Sequence, residues 1–317
     1  MMKLVFLDRQ TLAPSVQLRR PAFDHLWQEY AETAPEQVVQ RLQQAEVAIV
    51  NKVKIGAAEL AKLPQLRLIA LAATGSDNVD LGACRNAGVA VCNIRNYSES
   101  AVPEHALSLM MALSRNLHAY RTSVAGGRWQ QSGQFCYFDY PVRDLKGRTL
   151  GLIGYGTIAR DLERLARALG MKVIVAARKG QPTTEGRLPF ERVLTEADVI
   201  SLHCPLTEDT RHLIGERELA MMKPDALLIN VGRGGLVDEQ ALLNALKEKR
   251  IGGAGFDVVS AEPPPVNHPL MQALECPNFI LTPHIAWASQ ASMQRLADQL
   301  IDNIEAFAAG REQNRLV

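Results

Sequence analysis

Cysteine is scarce and scattered: Cys84, Cys92, Cys136, Cys204 and Cys276 are odd in number and form no CxxC pair. That spacing argues against a disulfide framework and against a zinc site, and leaves buried free thiols as the default. No apolar run approaches the roughly 20 residues that a membrane span requires. The chain opens on a strand-like KLVFLD and not on a basic segment followed by a long apolar stretch. A cytoplasmic protein without anchor or metal is the expectation. Charge of one sign is missing as well, since 35 basic and 34 acidic residues leave a net charge of +1. Such a balance gives no broad footprint for nucleic acid or an anionic membrane. Low-complexity segments are also absent. What the chain does have is length and apolar content: 317 residues at 47% hydrophobic exceed the comfortable size of one core and point to two domains.

Strand-like runs at Lys3–Leu7, Ala48–Val50, Leu66–Ala70 and Val89–Cys92 alternate with helical segments around Ala57–Leu63 and Leu81–Ala87. This predicts a first α/β domain. From Ser98 to Tyr120 apolar residues recur at helical spacing, with Ser98 or Ser100 as the cap, and predict one long helix linking two domains. A second alternation follows, with strands at Val199–Leu202, Ala226–Asn230, Ala254–Phe256 and Ile280–Leu281 and helices at Glu216–Met222 and Glu239–Glu248. A closing helix from about Ser289 to Ala309 lies beyond the last strand, and its length suggests a return to the first domain. The expected division is 1–98 completed by 288–317, and 99–287. Gly126–Val142 is aromatic, proline-punctuated and without period, and reads as a loop or an interface arm.

LGLIGYGTIARDLERLARALGMKVIVAAR, Leu150 to Arg178, places a buried strand, a glycine turn, an amphipathic helix and a second strand in order. Gly154, Gly156 and Ala159 complete GxGxxA within it. Gly154 permits the tight turn, Gly156 lets backbone N–H groups near a pyrophosphate, and Ala159 allows the helix to pack on its strand. The phosphates would then face the helix N-terminus at Thr157 and Ile158. This is a dinucleotide-binding unit of the Rossmann kind. An acid at the end of the second strand would bind the ribose hydroxyls and repel a 2′-phosphate, but Ala177 stands there, followed by Arg178 and Lys179. We therefore expect NADP to be preferred, with NAD possible.

Three later segments end strands with reactive side chains. LLINVGRGGLVDEQAL delivers Arg233 on a glycine-flanked turn, GAGFDVVSAEPP carries Asp257 and Glu262, and ILTPHIAWAS presents His284. Singly, each has a bland explanation as an ion-pair partner, a solvated acid or a structural histidine. Together, in this order after GxGxxA, they make the chain resemble the D-2-hydroxyacid dehydrogenase family over nearly its whole length. NKV, ATGSDNVDL and PHIAWAS most resemble its glycerate dehydrogenase or hydroxypyruvate (glyoxylate) reductase branch.

The resemblance implies a fold and a chemistry. The fold is α/β with two doubly wound parallel-sheet domains, a Rossmann nucleotide-binding domain and a discontinuous flavodoxin-like substrate domain. The chemistry is hydride transfer between NAD(P)H and a small 2-oxo acid. Arg233 would hold the substrate carboxylate and carbonyl, His284 would be the acid or base, and Glu262 would pair with it and favour the imidazolium. Thr74, Gly75 and Ser76 match a loop that offers backbone donors to the carboxylate, and Lys52 and Val53 would border the pocket, though Lys52 could equally be solvated. Cys204 and Pro205 fall beside the adenosine, Val231 and Gly232 near the nicotinamide ribose, and Asp257 on the carboxamide; Arg233 and His284 also border the cofactor. The departures are Ala159 for the usual third glycine and Ala177 for the acid. Formate dehydrogenases place glutamine where this chain has Glu262, which disfavours that activity. The relatives imply a homodimer joined through the nucleotide domain, with Trp129, Phe135, Tyr137 and Phe138 as candidate contacts unless they are ordinary core. Two other readings stay open, a dehydrogenase of a phosphorylated hydroxy acid and a cofactor-sensing corepressor-like binding protein.

Overall fold

Short runs of wholly buried residues decide the architecture: Val47–Val50, Leu68–Leu71, Val199–Leu202 and Leu227–Asn230 are covered on both faces, as parallel strands between helical layers must be. The computed structural model describes residues 1–317. It forms two compact units, Met1–Ser98 with Ala288–Val317, and Glu99–Trp287.

In the first unit β1 (Met2–Phe6), β2 (His25–Glu29), β3 (Val47–Val50), β4 (Leu68–Leu71) and β5 (Ala90–Cys92) make a parallel sheet of order β2-β1-β3-β4-β5. This is the flavodoxin-like order. Helices α1 (Val38–Leu42), α2 (Ala57–Leu60) and α3 (Leu81–Ala87) cross between its strands. The C-terminal helix Gln290–Ala308, capped by the Ser289 hydroxyl, belongs to this unit. Its buried Asn303 donates to the Asn93 carbonyl at 2.9 Å, and the tail beyond it bonds β5 through Leu316 N and Val91 O.

The second unit begins with α4 (Ala101–Ser114), α5 (Leu117–Ala125) and α6 (Arg128–Ser132). The single long helix expected here is therefore two: Asn116 takes a left-handed conformation (φ 50°) and its amide bonds the Pro141 carbonyl, which turns the chain. Ser100 stands at the N-cap without a capping bond from its side chain. The expected loop at 126–142 contains α6, and of its aromatics Phe135 and Phe138 stand 90% and 84% exposed. These two are not core. Tyr137 packs edge-on against Tyr120.

Strands β6 (Thr149–Ile153), β7 (Lys172–Val175), β8 (Val199–Leu202), β9 (Leu227–Asn230), β10 (Gly253–Phe256) and β11 (Phe279–Leu281) form the parallel order β11-β10-β9-β8-β6-β7. Leu188 bridges Ala176 outside β7, a rudimentary further strand. Helices α7 (Thr157–Ala168), α8 (Phe190–Glu196), α9 (Glu216–Met221), α10 (Glu239–Lys247) and α11 (Pro269–Ala273) complete the unit. Strand order reverses at β6, where doubly wound sheets open a crevice. Ile153, Leu202, Asn230, Phe256 and Leu281 lie in register across five strands, so the loops after them leave one carboxyl edge side by side. No helix is long and apolar enough to cross a membrane.

Candidate active site

At the reversal point Gly154 has φ 88°, and a Cβ there would lie 2.5 Å from the His203 carbonyl carbon and 2.6 Å from Cys204 N. Only glycine lets the β6 and β8 loops come this close. Two residues on, nothing lies within 4 Å of the position a Gly156 Cβ would take, so the space before the first turn of α7 is open. Thr157 and Ile158 start that helix and Ala159 is fully buried against the sheet. An open backbone cradle at the N-terminus of a 12-residue helix fits a pyrophosphate. Burial raises the Cys204 thiol above its usual range, so it stays protonated and is no nucleophile. Pro205 follows it, its carbonyl bonded by the Thr210 hydroxyl. His203, which the sequence did not single out, is pushed by burial down to about 4 and is neutral, with Nε2 2.9 Å from Ser201 Oγ.

Beyond β7, Ala177 is buried and bonds Leu188 O through its N–H, while Arg178 extends into solvent. Lys179 is committed elsewhere: its ammonium lies 2.9 Å from Glu218 Oε1. Burial raises the Glu218 carboxyl, but Lys179 and the Gly215 N–H outweigh burial and hold it below its usual range. Arg187 brings a further cation to the strand end, donating to the Ala176 carbonyl at 3.2 Å. The single bridge at Leu188 carries it there, and a one-residue bridge leaves no periodic signal.

Arg233 follows β9. Buried Asn230 at the strand end accepts the Gly232 N–H and donates to the Arg233 carbonyl at 2.8 Å, which fixes the turn, and Arg233 Nη1 bonds the Gly232 carbonyl. Val231 is buried and Gly232 half-buried on the same turn. A Cβ on Gly234 would lie 2.0 Å from the Val259 carbonyl carbon, so the arginine turn is pressed against the loop that carries Glu262. In that loop Glu262 accepts the Val259 N–H at 3.2 Å through Oε1. Its other oxygen, Oε2, lies 2.6 Å from His284 Nδ1. The structure thus joins two of the three residues directly and sets the third on the neighbouring strand end.

His284 itself has φ 55°, a conformation costing a non-glycine residue roughly 1–2 kcal/mol. Asp257, 1% exposed, holds it there: its oxygens accept from Ile285 N (2.9 Å), Ala286 N (2.7 Å) and the Thr282 hydroxyl (2.5 Å). Hydrogen bonds to a charged group contribute about 1.5–3 kcal/mol each, enough to outweigh the strain. Asp257, placed by the resemblance on the carboxamide, therefore also clamps the histidine turn. His105, inside α4 and marked by no sequence motif, reaches the same cluster with Nε2 2.9 Å from Thr282 Oγ1.

The other candidates lie in the first unit, after neighbouring strands. Asp8 accepts the backbone N–H groups of Asn51, Lys52 and Val53 after β3, which fixes that loop, with Lys52 exposed and Val53 packed against the core of this unit. Burial raises the Asp8 carboxyl in spite of those bonds. After β4, the Thr74 hydroxyl is spent on the Ile94 carbonyl at 2.7 Å and Asn93 donates to the Thr74 carbonyl. Gly75 and Ser76 are half-buried on the same loop. No cluster of potential metal ligands is present.

Residues 107–286 match the model of the D-isomer specific 2-hydroxyacid dehydrogenase NAD-binding domain. The chain is 53% identical over 313 residues to the glycerate dehydrogenase of Methylorubrum extorquens, covering 98% of each. It is 34% identical to the hydroxypyruvate reductase of Blautia hydrogenotrophica, over 89% of this chain and 88% of that one. Among solved structures, the TT0316 protein of Thermus thermophilus superposes over the full length of both chains with a TM-score of 0.83 at 31% identity. On this sequence, this fold and this edge of the sheet, the chain belongs to the D-isomer specific 2-hydroxyacid dehydrogenase family.

Proposed function

We propose that the protein interconverts a small polar 2-oxo acid, hydroxypyruvate or glyoxylate, and the corresponding D-2-hydroxy acid, with NADPH preferred over NADH. The observation that carries this reading is the 2.6 Å contact between His284 and Glu262 beside the Arg233 turn. Reducing a ketone needs a proton on oxygen as charge develops there. With Nδ1 turned to Glu262, His284 keeps Nε2 for the substrate oxygen and delivers the proton from it. Glu262 holds the ring in that orientation and offsets its charge. Arg233 binds the carboxylate as a fork and polarises the carbonyl, which orients the reacting carbon. In the first unit, Gly75 and Ser76 offer backbone donors to a carboxylate, with Thr74 bracing their loop and Lys52 and Val53 on the adjoining one.

Gly154, Gly156, Thr157 and Ile158 would hold the nicotinamide cofactor at its pyrophosphate, Cys204 and Pro205 on the adenosine side, and Val231, Gly232 and Asp257 at the nicotinamide end. The bound cofactor supplies the hydride. Preference for the 2′-phosphate rests on the missing acid at Ala177 and on Arg178, with Arg187 near the same strand end; Lys179 is already neutralised by Glu218. The relatives named glycerate dehydrogenase and hydroxypyruvate reductase support the substrate class. A homodimer joined through the exposed Phe135 and Phe138 completes the proposal. Initial rates for glyoxylate, hydroxypyruvate and pyruvate, each with NADH and NADPH, test it. A preference for NADH beyond about tenfold, ~1.4 kcal/mol, overturns the cofactor reading, and negligible turnover of all three acids overturns the activity.

A further inference from the structure

Between Val259 and His268 the chain runs over the surface. Ser260, Ala261, Glu262, Pro263, Pro265 and Asn267 are exposed, and the side chain of Val266 stands 94% in solvent. No buried apolar side chain between Ser260 and Asn267 holds this stretch to the body, so polar anchors must set the place of Glu262. One buried group supplies both. Glu239, the first residue of α10 and 8% exposed, accepts the Ser260 N–H at 2.7 Å through Oε1 and the Ser260 hydroxyl at 2.5 Å through Oε2. Its Oε2 also lies 3.0 Å from His268 Nε2. His268 Nδ1 accepts the Leu270 N–H, which leaves Nε2 as the protonated nitrogen pointing at the carboxylate. A single carboxylate thus ties down the start and the end of the loop. Glu239 also lies six residues after Arg233, and Gly234 presses the backbone of that segment onto Val259 and Ser260.

We propose that Glu239 is a positioning residue for the reaction: by binding Ser260 and His268 together it fixes the intervening loop so that Glu262 meets His284. The proposal rests on Glu262 and His284 being the proton-transfer pair. Glutamine cannot replace Glu239. Its one oxygen can take the Ser260 N–H, but its NH2 then meets the Nε2–H of His268, donor against donor.

The test compares Glu239→Gln, Glu262→Gln and the double variant with the parent enzyme, measuring kcat and KM for hydroxypyruvate reduction with NADPH. Misplacing Glu262 by an ångström is expected to lower kcat roughly 10- to 100-fold while KM for NADPH stays within about threefold. Both single variants should lose kcat in this way, because each deprives His284 of its carboxylate partner. The double variant should be no slower than Glu262→Gln alone. Asp257 and His105, the other titratable groups at the His284 turn, are untouched. If Glu239→Gln lowers the melting temperature but leaves kcat where it was, or if the two losses multiply, Glu239 is merely structural and the proposal falls. If Glu262→Gln itself leaves the rate unchanged, the catalytic pair is wrong and the proposal falls with it. Should Glu239→Gln fail to fold, His268→Asn keeps a cap for Leu270 but withdraws the bond to Glu239, and must lower kcat in the same way with KM for NADPH unchanged.

Discussion

The positive φ of His284 shows how much restraint a single side chain can require. Its ring meets Glu262 while Asp257 fixes the two N–H groups that follow it. On the proposed mechanism His284→Ala removes the proton donor and leaves the Gly154–Ile158 cradle intact. Turnover of 2-oxo acid should fall about 10²- to 10⁴-fold, the range of general acid catalysis, while NADPH titrated by fluorescence binds within about threefold of the parent. Cofactor binding lost in parallel with turnover would show that the residue acts through folding. Asp257→Asn should also slow turnover, since an amide can accept from Ile285 or Ala286 but then presents a donor to the other N–H group. Much of this was legible in the chain: Arg233, Glu262 and His284 each follow a buried strand run, and chemistry at strand ends follows from the parallel sheet itself. Glu239 and His105 were not legible. One sits at a helix start and the other inside a helix, and their meaning comes from partners 21 and 177 residues away. Lys179 shows the same limit in reverse, because its commitment to Glu218 spans 39 residues and no local pattern announces it.

Among the elements, β2 and the break at Asn116 mark where periodicity loses its force. β2 is an edge strand with Leu26, Gln28 and Glu29 exposed, so no alternation betrays it. Across Asn116 the apolar spacing continues into Leu117, which turns out 58% exposed; the asparagine, tolerant of left-handed backbone, was the better signal. The second sheet is stitched at its opposite edge by Asp198, which accepts Thr149 N at 2.8 Å and pairs with Lys223 and Arg148. Burial pushes its carboxyl up, but these partners outweigh burial and hold it below the usual aspartate range. A carboxylate depressed in the folded state adds stability above its unfolded pKa, near 3.9, and that stability is lost as pH falls through the lower folded value. Asp198→Asn should therefore cost roughly 1–3 kcal/mol at pH 7 and progressively less below about pH 4, read from urea midpoints at both pH values. A loss independent of pH would place the effect in packing and not in charge.

For the molecule as a whole, the distribution of apolar surface is uneven in a way the fold alone does not require. Seven of the thirteen large hydrophobic residues left exposed fall between Met111 and Val142, among them Trp129, Phe135, Phe138 and Val142. Phe135 and Phe138 stand 90% and 84% in water, and exposed apolar side chains concentrated in one stretch of chain fit the proposed interface. A second copy suits them best, because a two-fold axis sets the same patch against itself and counts each side chain twice. Burying one phenylalanine contributes about 1.5–3 kcal/mol, so removing two from each copy removes several kcal/mol even after discounting what association costs. The Phe135→Glu, Phe138→Glu double variant should raise the dimer dissociation constant by more than about 100-fold, measured by sedimentation equilibrium, with melting temperature followed to exclude unfolding. A parent protein that sediments as a monomer at concentrations of about 10 μM, or a variant that stays dimeric, would sink the idea.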